Sequence, residues 1–308
     1  MILASLAIVA PIFALVALGY GVVRARLASA EAGNGLSEFV FVLAIPALLF
    51  RTVAGADFPS LNPLPYWAAY FIPLALCWTL AGLYARRLGR DATEQAITGF
   101  AAAQSNTVMV GIPVILGTLG DRGSVAIVLL LVVHLPVTMS IVTLLIARGE
   151  GGGAGRLLRS LALHPILLAI FAGLAWRAAG LPMPDILRTL LRYLGDTAAP
   201  CALVAMGMSM HRVALAGNRR IIALVTAIKL VLHPLLVYVL GVKLMGLPPL
   251  FAASALLFAA CPTGINAFLV ADRYKSGAAT VSGAITLSTV LAIVTMTFAV
   301  SVATGLMR

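Results

Sequence analysis

The stretch "QSNTVMVGIPVI", residues 104–115, lies inside a long apolar run yet holds four consecutive polar residues, a glycine and a proline. Proline removes the backbone donor of its helical turn and its ring collides with the carbonyl four residues back, while glycine weakens the same turn. A segment hydrophobic enough for a bilayer thus places its worst helix formers at its centre. The spacing predicts a helix that opens between Asn106 and Pro113, with Gly111 in the weakened turn. A second stretch, "ACPTGINAFLVADRY" from Ala260, repeats the combination with Pro262, Gly264 and Asn266. In hydrocarbon, each freed amide or carbonyl costs several kcal/mol unless protein or water in a cavity satisfies it. Gln104, Ser105, Asn106, Thr107 and Thr263 are side chains able to do so.

The surrounding chain defines the solvent. Of its 308 residues 62% are hydrophobic and 10% charged, against about 25% charged in an average soluble domain. Spanning helices need about 20 mostly apolar residues. Ten such segments are predicted, at 2–23, 37–55, 64–85, 95–119, 123–147, 161–180, 190–210, 220–242, 249–271 and 277–305. The connections are too short for a soluble domain. Arg24 and Arg26 follow the first apolar run and no basic residue precedes it, so it reads as a retained helix rather than a cleaved signal. Cys77, Cys201 and Cys261 stand singly in apolar surroundings and read as small core residues.

The net charge of +11 comes without the Lys/Arg block that binds nucleic acid, and its distribution orients the chain instead. The odd-numbered loops hold Arg24 and Arg26; Arg86, Arg87 and Arg90; Arg148, Arg156 and Arg159; Arg212, Arg219 and Arg220; and Arg273 and Lys275. The even-numbered loops hold fewer, so the odd loops are expected in the cytoplasm and both termini in the periplasm.

The one Gly-rich, charged linker, "ARGEGGGAGRLLRS" from Ala147, divides the segments into five and five. The expected organisation is a first repeat over 1–148, a cytoplasmic linker over 149–159 and a second repeat over 160–308. "PIFALVALG" from Pro11 resembles "PILLAIFAG" from Pro165, and "PALL" from Pro46 and "PCAL" from Pro200 lie the same distance apart. An odd number of spans per half means that the second half enters from the opposite side, giving an inverted repeat. Such repeats characterise secondary transporters, whose sites form near the midplane where discontinuous helices meet. If segments 4 and 9 open at one depth and cross, each presents a helix N-terminus carrying about half a positive charge, worth up to about 2 kcal/mol in a partly buried site. That attracts an anion without a fixed cation. The other prolines, among them Pro73, Pro136 and Pro234, read as simple kinks.

The motifs "NTVMVGIPVI" and "CPTGINAFLVADRY", with "LGDTAAPCALVAMGMSM" from Leu194 and "KLVLHPLLV" from Lys229, resemble the auxin efflux carrier family. This family, within the bile/arsenite/riboflavin transporter superfamily, includes the plant PIN carriers and bacterial carriers of small carboxylates. The resemblance implies ten helices, a scaffold and a transport domain each built from both repeats, crossing helices 4 and 9, elevator-type alternating access and a homodimer in a bacterial inner membrane. By position it assigns Asn106 to the substrate carboxylate and Pro113 and Pro262 to the crossover, and it puts Lys229 where plant members carry a basic residue. Asn266 and Ala267 replace the plant apolar-plus-proline pair, so indole selectivity does not carry over.

Two charged residues in apolar surroundings are candidates for coupling. Lys229 stabilises crossover carbonyls or acts as counter-charge, unless its stem snorkels to the interface. Asp196, the one carboxylate well inside an apolar run, carries a proton or a cation, unless it is a helix-start residue near the outer interface. His134, His164, His211 and His233 lack metal-ligand spacing and read as packing residues. Without paired acids or an activated nucleophile, no enzymatic chemistry is expected, and no cofactor. The expected function is transport of a small organic anion, auxin-like or a dicarboxylate, with possible coupling to H⁺ or Na⁺. A sodium symporter of the bile-acid type, with Gln104, Ser105, Asn106 and Thr107 as oxygen ligands, and a ligand sensor that does not transport are the alternatives.

Overall fold

Apolar runs that face lipid must satisfy their backbone internally, and helices do so within one segment. In the computed structural model, which describes residues 2–55, 62–147, 163–210 and 217–308, the described residues form helices and no strand beyond one isolated bridge. In chain order they are α1 (Ile2–Arg24), α2 (Glu31–Gly55), α3 (Leu64–Arg87), α4a (Ala92–Ala103), α4b (107–119), α5 (Gly123–Ala147), α6 (Pro165–Ala178), α7 (Asp185–Met210), α8 (Arg219–Leu244), α9a (Pro249–Ala260), α9b (Ile265–Arg273) and α10 (Ala278–Leu306). Among the described residues six stretches are long and apolar enough to cross a membrane: α1, α2, α3, the Thr107–Ile146 stretch, α8 and α10. Two further apolar helices, α6 and α9a, are shorter. The expected linker at 149–159 lies outside the described residues, as do Arg212 and His211.

Local chemistry sets several of the boundaries. Asp91 caps α4a by accepting the Glu94 amide at 2.8 Å, and Asn218 caps α8 by accepting those of Arg220 and Ile221. Prolines shape the interiors. Of four π turns among the described residues, three, at Val40–Ala44, Thr107–Gly111 and Ile228–Leu232, end two residues before a proline (Pro46, Pro113 and Pro234), and the fourth, at Val239–Leu244, closes α8. In each of the three before a proline, the residue after the turn donates five residues back, as Ile112 does to Thr107. Slipping the ladder by one residue relieves the collision between the proline ring and the carbonyl four residues back, so the helix continues instead of ending.

This corrects the expected position of the opening in segment 4. The chain leaves helical geometry at residues 104–106, with Gln104 extended at φ −74° and ψ 111°, and resumes at Thr107. Pro113 therefore sits inside α4b, not in the break. In segment 9 the break falls where expected, at residues 261–264, and includes Pro262.

The helices pack in two groups. In one, α7 packs on α1 and α2, and α2 packs on α6. In the other, α3 packs on α4a, α8 on α9a and α10, α9a on α10, and α5 on α4a, α4b and α9a. The backbones of α1 and α7 approach closely at two glycines. A Cβ on Gly19 would strike the Val204 carbonyl and one on Gly207 the Val16 carbonyl. Small residues at such contacts maximise dispersion where lipid offers no hydrophobic drive to associate. The groups meet where α1 touches α10, α2 touches α5, and α7 touches the start of α4b.

Candidate crossover site

The two breaks meet. The Asn106 amide donates to the Pro262 carbonyl at 2.9 Å and the Gly264 amide to the Gln104 carbonyl at 2.8 Å, pairing Ser105 with Thr263 as an antiparallel bridge. Each broken helix thus supplies the backbone partners that the other lost. Closeness explains Gly264, since a Cβ there would lie 2.9 Å from the Ser105 carbonyl oxygen. It also explains Gly111, whose added Cβ would lie 3.0 Å from the Phe258 ring of α9a. Gly111 is a contact residue within α4b rather than a point of opening.

Side chains complete the crossing. Asn106 caps α4b by accepting the Met109 amide at 3.3 Å, and its amide nitrogen lies 3.5 Å from the Met206 sulfur of α7, in the other helix group. The Tyr70 hydroxyl of α3 donates to Ser105 Oγ at 3.1 Å, and the Thr263 amide donates to Ser288 Oγ of α10 at 3.1 Å. Gln104 Oε1 and Thr263 Oγ1 are buried and find no partner among the described residues. Thr107 is buried beside them, Asn266 is half-buried, and Pro113 is enclosed within α4b.

Lys229 is fully buried (0% exposed), which removes the snorkelling reading. Its Nζ donates to the Ala259 carbonyl, in the last turn of α9a, and lies 3.2 Å from His233 Nδ1. A cation at a helix C-terminus complements that end's partial negative charge and satisfies a carbonyl the break has orphaned. His233 and His134 flank Tyr70, with ring centroids at 5.3 and 5.5 Å. A buried polar chain therefore runs from Ser105 in one break through Tyr70 and His233 to Lys229 and the end of α9a. Sequence reasoning offered Lys229 as a stabiliser of crossover carbonyls or a counter-charge, against snorkelling, but treated the histidines as packing residues and passed over Tyr70. The available signal was Lys229 and His233 four residues apart, one helical turn, in an apolar segment.

Asp196 stands apart. Its Oδ1 accepts from both terminal nitrogens of Arg51 at 3.2 Å, tying α7 to α2. Since α7 begins at Asp185, Asp196 is not a helix-start residue.

A cavity of about 20 Å³ adjoins the crossing, lined by Phe41, Thr107, Val108, Leu131, Leu135, His164, Ile166 and Asn266. A larger groove of about 470 Å³ runs between α8, α9a and α10, but its walls include the exposed Val231, Leu235 and Phe298 and only Tyr238 and Thr295 as polar residues. That groove is surface of the kind lipid covers. The crossing holds the convergent polar groups expected of a ligand site.

Apolar helices built around two mutually paired breaks define a membrane transporter. The chain belongs to the auxin efflux carrier family: the family model described as "Membrane transport protein" matches residues 4–300. It is 31% identical over 304 residues to a Rhizobium meliloti (strain 1021) protein named "Putative malonate transporter", covering 94% of this chain and 93% of that one. It is also 27% identical over 290 residues to an "Uncharacterized transporter" of Methanothermobacter thermautotrophicus (strain Delta H), covering 92% of this chain and 94% of the relative.

Proposed function

We propose that this transporter is a secondary carrier of a small organic anion, a carboxylate, bound at the crossing of α4 and α9. The observation that carries the reading is the reciprocal pairing of the two breaks through Asn106, Pro262, Gly264 and Gln104. It leaves the N-termini of α4b and α9b beside a polar pocket, and such ends favour negative charge. The name of the Rhizobium meliloti relative supports a carboxylate such as malonate as the first substrate to try.

In this reading the chain spans the inner membrane ten times as two inverted five-helix repeats, with both termini periplasmic, and works as a homodimer. The group α1, α2, α6 and α7 is the scaffold, and the other group carries the crossing across the membrane as an elevator. Sequestering the mobile site within one packed body lets it move without exposing its unpaired backbone to lipid. Gln104, Ser105, Asn106, Thr107, Thr263 and Asn266 face the substrate, Gly111, Pro113, Pro262 and Gly264 shape the crossing, and Lys229 secures its end.

Counterflow of labelled malonate in liposomes tests the assignment. Asn106→Ala removes both the cap of α4b and a polar contact, and it is expected to slow exchange at least about tenfold, the equivalent of one charge-assisted hydrogen bond. Exchange at the wild-type rate by a normally inserted variant excludes the site. A ligand sensor gives binding without exchange.

A second reading, coupling to sodium, draws on Gln104 Oε1 and Thr263 Oγ1, buried oxygens with no partner among the described residues. Hard cations take such oxygen ligands. Replacing sodium with choline abolishes uptake if that reading holds and leaves uptake unchanged if it does not.

A further inference from the structure

The interior of the helix group that carries the crossing holds a basic pair that no acid opposes among the described residues. Lys229 is fully buried, its Nζ donates to the Ala259 carbonyl, and it lies 3.2 Å from Nδ1 of the equally buried His233. The other nitrogen of that imidazole, Nε2, has no partner among the described residues, and neither has either ring nitrogen of His134, which also packs on Tyr70. Helix α3 faces the pair with Tyr70 and Cys77, while Tyr66 gives its hydroxyl to the Ala126 carbonyl. The second break adds Cys261, α5 has His134 as its one ionisable residue, and α4b, α9a and α10 have none. The acid of α4a, Glu94, stands in its first turn and pairs with Arg90.

Charge decides what such a pair can do. A lone ammonium in hydrocarbon is costly, and a buried lysine readily gives up its charge to become the neutral amine. The end of α9a answers it with only about half a negative charge. A substrate anion at the crossing supplies the rest, because Ala259 lies just before the second break and Tyr70, which packs on His233, bonds Ser105 in the first. From the contact of Lys229 with His233, enclosed without a carboxylate beside the crossing, we propose that this pair is the carrier's proton site, taking up one H⁺ when the anion binds and releasing it when the anion leaves. Anion and proton then cross together. This rests on the reading of the crossing as an anion site and names its coupling ion.

The transfer uses N–H bonds alone. In the loaded form Lys229 is an ammonium that donates to Ala259 and to His233 Nδ1. As the anion leaves, Nζ passes a proton to Nδ1, and the imidazole releases its other one from Nε2 to water entering the open site. The amine still donates to Ala259. Linkage makes the effect reciprocal, so a proton on the pair tightens the anion by the factor by which the anion tightens the proton. In neither form does an unanswered cation travel through the hydrocarbon.

The test uses the full chain in sodium-free liposomes, with labelled malonate as the probe, the membrane potential clamped at zero and protein-free liposomes as the blank. An acidic exterior should drive malonate inward to roughly tenfold accumulation per unit of pH difference, the factor that one proton carries. Lys229→Arg fixes the charge, since a guanidinium keeps its proton, and His233→Gln offers Lys229 an acceptor that takes no proton. In each variant accumulation should fall to the level reached without a gradient. Counterflow in the same liposomes reports active inserted protein, and two variants guard against misfolding of either. Wild-type uptake that ignores the pH difference, or that requires sodium, overturns the proposal while leaving the crossing as an anion site. Accumulation of wild-type size in either variant means that the proton travels on the substrate, and it overturns the pair as the site. Absence of malonate counterflow in wild type removes the anion reading, and the proton site with it.

Discussion

Lys229 shows how a single side chain answers for a broken helix. The break in segment 9 leaves carbonyls at the end of α9a without helical partners, and the ammonium reaches Ala259 from α8. Lys229→Met keeps the stem and removes the donor, so a buried carbonyl is orphaned. The expected cost is about 1–3 kcal/mol, read as a lower thermal midpoint in detergent together with reduced transport. Gly264 makes the opposite demand, for nothing at all. Gly264→Ala places a methyl group against the Ser105 carbonyl and must prise the bridge apart, at roughly 1–3 kcal/mol for overpacking. Exchange should fall to near background while the α1–α7 contact, which does not involve Gly264, keeps the protein folded. Wild-type exchange in this variant contradicts the paired-break geometry.

At the scale of the element, two prolines that look equivalent in sequence do different jobs. Pro262 lies in the break, where the chain must not be helical, whereas Pro113 follows a π turn inside a continuing helix. Pro262→Ala removes a helix penalty of about 3 kcal/mol and favours extension of α9a through the crossing. Pro113→Ala restores an amide that the slipped ladder already does without. Transport is expected to drop about tenfold or more in the first and within about threefold in the second, on the same propensity argument. The reverse order counts against the assignment of the break to residues 261–264. Positions such as Pro46 and Pro234 make the same point: the sequence marks where a helical ladder is disturbed, and the neighbouring packing selects between slip and rupture.

For the whole molecule, the proposed motion requires the two helix groups to slide past one another, and their contacts are the place to stop it. Ile8 of α1 lies against Gly117 of α4b, where an added Cβ would sit 3.6 Å from the isoleucine Cγ2. With Cys77, Cys201 and Cys261 replaced by serine, the pair Ile8→Cys and Gly117→Cys should cross-link on oxidation and arrest exchange, and reduction should restore it. Full exchange by the cross-linked protein means that these groups do not move relative to each other. Asn106 sits on the same boundary, since its side chain caps α4b and touches Met206 of α7.

The sequence alone determined the solvent and the elements. Apolar runs of spanning length, Gly/Pro/Asn interruptions in segments 4 and 9, and a lysine in an otherwise apolar helix are local properties, because backbone satisfaction and burial cost act residue by residue. Only the tertiary structure decided where segment 4 opens, that Ser105 pairs with Thr263, and that Tyr70, His134 and His233 gather beside Lys229. These depend on which carbonyl, ring or helix end comes within hydrogen-bonding reach across segments far apart in the chain, and periodicity within one segment carries no record of its neighbours. His164 is the plainest case: beside Pro165 it reads as a packing residue, and its nearness to Thr107 and Asn266 exists only once three helix ends have been folded onto one cavity.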